Sequence, residues 1–201
     1  TPAGFSRCSV MTAAITYLST NTNSSQSDSY TFSSVGLGAA SSDRVIGIVF
    51  TGEPLDAPAD VNAISVGGVS ATKVAQLIEP GEGYTASLWT VAVPTGTTGD
   101  IVITLNVDYL QCFCHVWAMT GVDVSSPYDT ATNEDDIVNL DCDIPEGGVV
   151  FGAAQFGSTN TVATTGLTEN YDVSFDGDRG VSGSAGPLSA ETPRSISFNG
   201  G

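Results

Sequence analysis

The sequence predicts an all-β protein: a single β-sandwich or jelly-roll-like domain of antiparallel strands. Three observations predict it. From Ile64 to Leu105, short alternating apolar segments are separated by Gly, Pro, Thr and Asp, the texture of strands packed on one face. Helix formers are scarce, with one Lys and four Arg and no Glu/Lys-rich stretch of helical period. Gly, Ser, Thr and Val are abundant instead, which favours strands joined by turns. A chain of 201 residues with 41% hydrophobic content is long enough for one substantial core. Folding would bury roughly 70% of its unfolded surface.

The elements follow in chain order. Thr1-Pro2 reads as a start from which the initiating Met was removed. Cys8 to Leu18 is moderately apolar, but it contains Ser and Thr and lacks an A-x-A site. It is therefore expected to be an opening strand of a protein made in a reducing cytoplasm. Ser19 to Ser29 (STNTNSSQSDS) reads as a polar loop long enough to contact a neighbour, so residues 1–29 form an N-terminal strand and arm. The sandwich is expected over residues 30–201.

Its strands are expected at Tyr30–Val35, Val45–Thr51, Val61–Val66, Val69–Leu77, Ala86–Val93, Asp100–Val107, Leu110–Met119, Ile137–Ile144 and Gly148–Phe156. Turn signals stand between many of them: Gly67-Gly68, Pro80 to Gly83, Pro94 to Gly96, Thr98 to Asp100 and Pro145 to Gly148. Strands every eight to twelve residues or so are the spacing of a sandwich or jelly roll. From Gly157 the alternation fades, and one further strand is expected at Ser195–Phe198.

The charge is one-sided, 22 acidic residues against five basic, a net −17. Arg7, Arg44, Lys73, Arg179 and Arg194 are scattered and form no patch, which argues against binding nucleic acid or an anionic membrane. The acidity reads either as a device for solubility or as the mark of salty surroundings. No run approaches the 18 apolar residues expected of a membrane helix.

Candidate chemistry is sparse. His115 is the lone histidine, so any Ser-His-Asp or Cys-His catalysis would run through it, and its strand setting favours a structural role. Cys8, Cys112, Cys114 and Cys142 make an even count without a disulfide-scaffold pattern, and their redox state stays open. In YLQCFCHVWAM both Cys112 and Cys114 fall on one face and His115 on the other, so buried thiols are expected ahead of a metal site. Gly36 and Gly38 make a lone G-x-G with no helix after it, a turn only.

Asn133-Glu134-Asp135-Asp136 and the run Asp172 to Asp178 (DVSFDGD) carry oxygen ligands for Ca²⁺, and the second resembles part of an EF-hand loop without its closing Glu. Solvated acidic loops are the plainer reading of both. Among aromatics, Trp89 and Trp117 are expected in the core. Tyr109 and Tyr128 remain candidates to stack on sugar rings, and Tyr84 is the best placed for an exposed contact. No catalytic, cofactor-binding or metal residue is assigned, and no cofactor is expected.

Four phrases carry a resemblance: GGVSATKVAQ (Gly67 to Gln76), SLWTVAVPTGTTGDIVITL (Ser87 to Leu105), VWAMTGV (Val116 to Val122) and IPEGGVVFGAA (Ile144 to Ala154). With the opening YTFSSVGLGAASSDRVIGIVF (Tyr30 to Phe50), they resemble a group of tailed-bacteriophage and prophage virion β-sandwich proteins, over roughly residues 30 to 155. The resemblance implies a non-enzymatic structural protein of the virion surface, made in the host cytoplasm. Its implied role is a capsid decoration (cement) protein, with the major capsid protein lattice and copies of itself as partners. The arm through Ser29 is then the expected lattice contact. The alternative is a carbohydrate- or receptor-binding module of a head fibre or tail, with a host surface glycan as partner. No functional residue comes with the resemblance.

Overall fold

The computed structural model describes residues 13–56, 59–79, 83–123, 127–133 and 137–200, and among them every regular element is a strand. One strand organises the first half of the chain. Ile101 to Thr120 contains neither Gly nor Pro. Nothing in it stops an extended ladder, and β8 runs unbroken over Thr98–Thr120. The break expected between Val107 and Leu110 does not occur.

Two pairs of collinear strands flank β8. On one side β1 (Ala14–Asn23) pairs with its C-terminal half, from Ala14 opposite Thr120 to Asn23 opposite Cys112. β2 (Ser27–Gly36) continues in the same direction, from Ser27 opposite Tyr109 to Gly36 opposite Thr98. On the other side β3 (Val45–Pro54) and β4 (Val61–Val66) do the same, from Val45 opposite Met119 to Val66 opposite Ile101. β5 (Val69–Ser70) turns back on β4, and β6 (Thr72–Ile78) and β7 (Thr85–Ala92) extend the sheet from β3, in the order β5-β4-β8-β3-β7-β6. The β4–β5 hairpin closes on Gly67-Gly68, both at positive φ (57° and 81°), as a two-residue primed turn requires.

The side chains of β8 reveal how the sheet folds over itself. Ile101, Ile103 and Leu105 share one core with Cys112, Cys114 and Val116. The first set is odd-numbered and the second even, so the inward face changes parity between them. That shift needs an irregularity in the ladder, and register breaks occur alongside at Ser27/Ser29, Glu53/Pro54 and Val61/Ala63. The two halves of the sheet thus enclose Tyr30, Ile46, Ile48, Phe50, Ile64, Val66, Trp89 and Val91.

The remainder builds a second sandwich. β10 (Gly148–Phe156), β13 (Asp178–Leu188) and β12 (Thr168–Phe175) form one three-stranded sheet, and β11 (Val162–Thr165), β14 (Glu191–Gly200) and β9 (Ile137–Ile144) form the other. Val138, Ala154, Val162, Val181, Ile196 and Phe198 fill the space between them. The other face of β10-β13-β12 covers the outward face of β8. There Phe113 meets Phe175 edge-on at 6.0 Å, and Trp117 meets Phe151 at 5.0 Å. Glycines admit these rings. A Cβ on Gly180 would sit 2.4 Å from the Phe113 ring, and one on Gly47 would sit 2.7 Å from Phe151. The C-terminal half of β8 is therefore buried on both faces.

Several expectations are corrected. The polar loop at Ser19–Ser29 is mostly strand, and residue 29 lies inside β2. β1 and β2 have only β8 as a ladder partner, so they form a half-exposed edge, where polar residues are suited. Of the opening strand expected at Cys8–Leu18, residues 8–12 lie outside the described residues. Val69–Leu77 divides at Ala71 into β5 and β6. The tail carries β11 to β14, where a single strand was expected. In β13, Gly180, Ser182, Gly183 and Ser184 occupy buried positions, and such small residues at core positions hide the period.

Candidate functional site

The histidine and the two neighbouring thiols fall on opposite faces of β8, as alternation requires. Cys112 and Cys114 point into the first core. Burial pushes the Cys114 thiol up to about 12 and the Cys112 thiol well above its usual range, so both stay protonated. Cys142 is also raised, by burial and then by the charges of Asp129, Asp141 and Asp143. These three cysteines are free, and Cys8 lies outside the described residues. His115 is wholly buried between the layers. Its ring lies parallel to Phe113 at 6.1 Å, edge-on to Tyr171 at 5.7 Å, and its Nδ1 is 2.7 Å from the Thr20 hydroxyl. Burial lowers its pKa to about 3, so the ring is neutral at physiological pH.

The acidic run at Asp172–Asp178 is a hairpin between β12 and β13. Asp176 and Gly177 both have positive φ (51° and 98°), with Phe175 paired to Asp178 across the turn. An Asp-Gly pair after alternating residues signals that turn, and the EF-hand comparison obscured it. The hairpin sends the carboxylates to different places. Asp172 binds Arg179 and accepts from the Val162 amide, Asp176 is exposed on the turn, and Asp178 is buried against the first sandwich. Residues 134–136 of the other acidic cluster lie outside the described residues. Among the described residues, no three His, Cys, Asp or Glu side chains converge.

The aromatics are similarly dispersed. Trp89, Trp117 and Tyr109 are buried, and Tyr84 is mostly covered, its hydroxyl 3.2 Å from Asp178 Oδ1. Of the candidates for an exposed contact, only Tyr128 stands free, at 69% exposure. No stacking platform forms from the five.

Docking the two sandwiches leaves a cleft of about 610 Å³ between the outer face of β3 and β7 and the side of the second sandwich where β9 and β10 are edge strands. Val49, Leu88, Leu140 and Ile196 give it apolar walls. Its polar end is lined by Thr51, Tyr84 and Gln155, with Glu53, Gln111 and Asp178 alongside. Register brings this group together. Glu53 and Gln111 are opposite one another on β3 and β8, and Gln111 Nε2 donates to Glu53 at 3.1 Å. Gln155 Nε2 donates to Asp178 at 2.6 Å.

Burial raises the Asp178 pKa. The Gln155 hydrogen bond opposes that rise, and the nearby Glu53 carboxylate reinforces it. Three buried oxygens in this group have no hydrogen-bond partner: Thr51 Oγ1, Gln111 Oε1 and Gln155 Oε1. Sequence reasoning missed the group, because its members are spread from residue 51 to 178 and meet only when the layers dock. No family model, curated protein or solved structure matches the chain.

Proposed function

We propose that the protein is a non-catalytic structural component of a bacteriophage virion, bound to the outer capsid surface as a decoration protein. One observation supports the non-catalytic part: the groups that Ser-His-Asp or Cys-His chemistry would need are committed to the interior. The lone imidazole is neutral and sealed between layers, and the Cys112 and Cys114 thiols are protonated in the core. The described basic side chains serve contacts within the chain too. Arg44 binds main-chain carbonyls, and Lys73, Arg179 and Arg194 pair with Asp60, Asp172 and Glu191.

The capsid assignment rests on the resemblance of the strand-and-turn phrases. It is compatible with a rigid β stack whose edge strands β6, β9 and β10 offer main-chain groups to a neighbour. Residues 14–23 and 27–29 lie in β1 and β2, which present an open edge of the same kind, so the described part of the arm adds a further edge to these candidate contacts. Quantitative mass spectrometry of gradient-purified particles tests the reading. A decoration protein should be present in hundreds of copies per particle. Absence from particles would overturn the proposal, and a handful of copies would move the protein to a tail or fibre.

The cleft favours a second reading, a carbohydrate-binding module of a head fibre or tail, because its size is that of small-molecule sites, roughly 300–1,000 Å³. A glycan array separates the two, since a purely structural component gives no sugar signal.

A further inference from the structure

We propose that the polar end of the interlayer cleft is a Ca²⁺ site, in which Glu53 and Asp178 supply the charge and Thr51, Gln111 and Gln155 supply neutral oxygens. The inference is independent of the virion reading. It starts from an imbalance of hydrogen-bonding partners. Thr51 and Gln111 are 1% and 4% exposed, yet Thr51 Oγ1 and Gln111 Oε1 have no partner, and neither has Gln155 Oε1. Native interiors rarely leave buried acceptors unmatched, because each has lost its hydrogen bonds to water.

The surroundings add acceptors where donors are needed. Glu53 takes an amide hydrogen bond from Gln111, and Asp178 takes one from Gln155 and a further bond from the Tyr84 hydroxyl, so neither carboxylate offers a donor to the three oxygens. Protein cations do not balance them. Each described basic side chain is engaged elsewhere: Arg44 with five carbonyls, Lys73 with Asp60, Arg179 with Asp172 and Arg194 with Glu191. A cation would satisfy all the oxygens at once and relieve the repulsion between Glu53 and Asp178.

Ligand chemistry selects the ion. The set is entirely oxygen, which suits a hard cation and disfavours zinc or copper. The ligands come from β3, β8, β10 and β13 and include two amides and a hydroxyl. Such a mixed set meets the flexible coordination of Ca²⁺ more readily than the near-ideal octahedron of Mg²⁺. With only two carboxylates the affinity should be that of weak extracellular sites, about 10⁻⁴–10⁻³ M. The bound ion would tie β3 and β8 of the first sandwich to β10 and β13 of the second, and it would enter from the cleft where Thr51 and Gln155 line the wall.

The test uses the full chain at high, constant NaCl, which swamps diffuse binding to the acidic surface. Calorimetric titration with CaCl₂ should give one site in the sub-millimolar to millimolar range. The Tm should rise by several degrees from EDTA to about 10 mM CaCl₂. Glu53→Gln should weaken Ca²⁺ binding about 10-fold or more, and Thr51→Val should weaken it less. Asp28→Asn, on the exposed face of β2, should bind as the parent does. These variants keep the test usable if Asp178→Asn does not fold. Equal Tm in EDTA and CaCl₂ would overturn the proposal, as would unchanged affinity in Glu53→Gln and Thr51→Val. An equal response to MgCl₂ would overturn the choice of ion.

Discussion

Arg44 is 1% exposed and has no carboxylate partner among the described residues, yet its guanidinium is satisfied. Nε donates to the Val93 carbonyl, Nη1 to Leu37 and Gly38, and Nη2 to Thr95 and Gly96, all at 2.7–3.1 Å. The planar fork holds the loop before β3 against the segment after β7, a task the three donors of a lysine cannot complete. Arg44→Lys should cost about 2–4 kcal/mol, read as a lower urea midpoint at unchanged slope. A loss below ~1 kcal/mol would mean that water reaches the freed carbonyls.

His115 makes a different prediction, with a definite sign. The folded ring stays neutral down to about pH 3, whereas the unfolded chain takes up a proton below its ordinary value near 6.5. Between those limits the unfolded state binds more protons. The stability contribution is therefore complete above pH 6.5 and is lost as pH falls toward 3. Phenylalanine should fit the stack of Phe113, Trp117 and Tyr171 and leave Thr20 its contact with Tyr17. Between pH 7 and pH 5 the parent should lose about 2 kcal/mol more than His115→Phe. Parallel pH profiles would show that the ring protonates in the folded protein.

At the scale of elements, the union of the two sandwiches depends on aromatic rings entering the space left by glycines. Gly180 lies on β13 with an ordinary extended backbone, so alanine there meets no conformational objection, only the Phe113 ring. Gly180→Ala should cost about 1–3 kcal/mol by overpacking. Adding Phe113→Leu should make the pair less destabilising than the sum of the single changes, a coupling that thermal melts of all four proteins can read. Simple additivity would mean that the layers separate locally to admit the methyl group.

The same elements show what was legible beforehand. β4 and β7 alternate and β10 is an apolar run between turn residues, so their positions follow from the sequence to within a residue, whereas β3 continues three residues past Thr51 to Pro54. Only the first half of β1 was legible: STNTN, its second half, has the composition of a loop, and only a long unbroken partner makes it a strand. The polar end of the cleft was less legible still. Thr51, Glu53, Gln111, Gln155 and Asp178 each look ordinary in their own strands, and their meeting depends on how two sandwiches dock.

For the whole molecule the dominant feature is charge. Of 22 acidic residues, three form ion pairs among the described residues, and the net charge is −17. A compact body so charged repels itself, and unfolding relieves the repulsion by moving the charges apart. The screening length falls from about 30 Å at 0.01 M salt to about 3 Å at 1 M. Most distances across a surface of this size lie between those two lengths. Added NaCl should therefore raise the Tm by several degrees over that range, with most of the gain below a few tenths molar. The measurement belongs in EDTA, so that screening is not confused with an ion in the cleft. Sucrose serves as a control, since it strengthens apolar burial without screening charge. A steep salt response in EDTA would assign stability to the acidic surface and favour saline surroundings over simple solubility. A flat response would instead mean that the carboxylates are too widely spread to oppose folding, leaving stability to the two cores and the ring-lined joint between them.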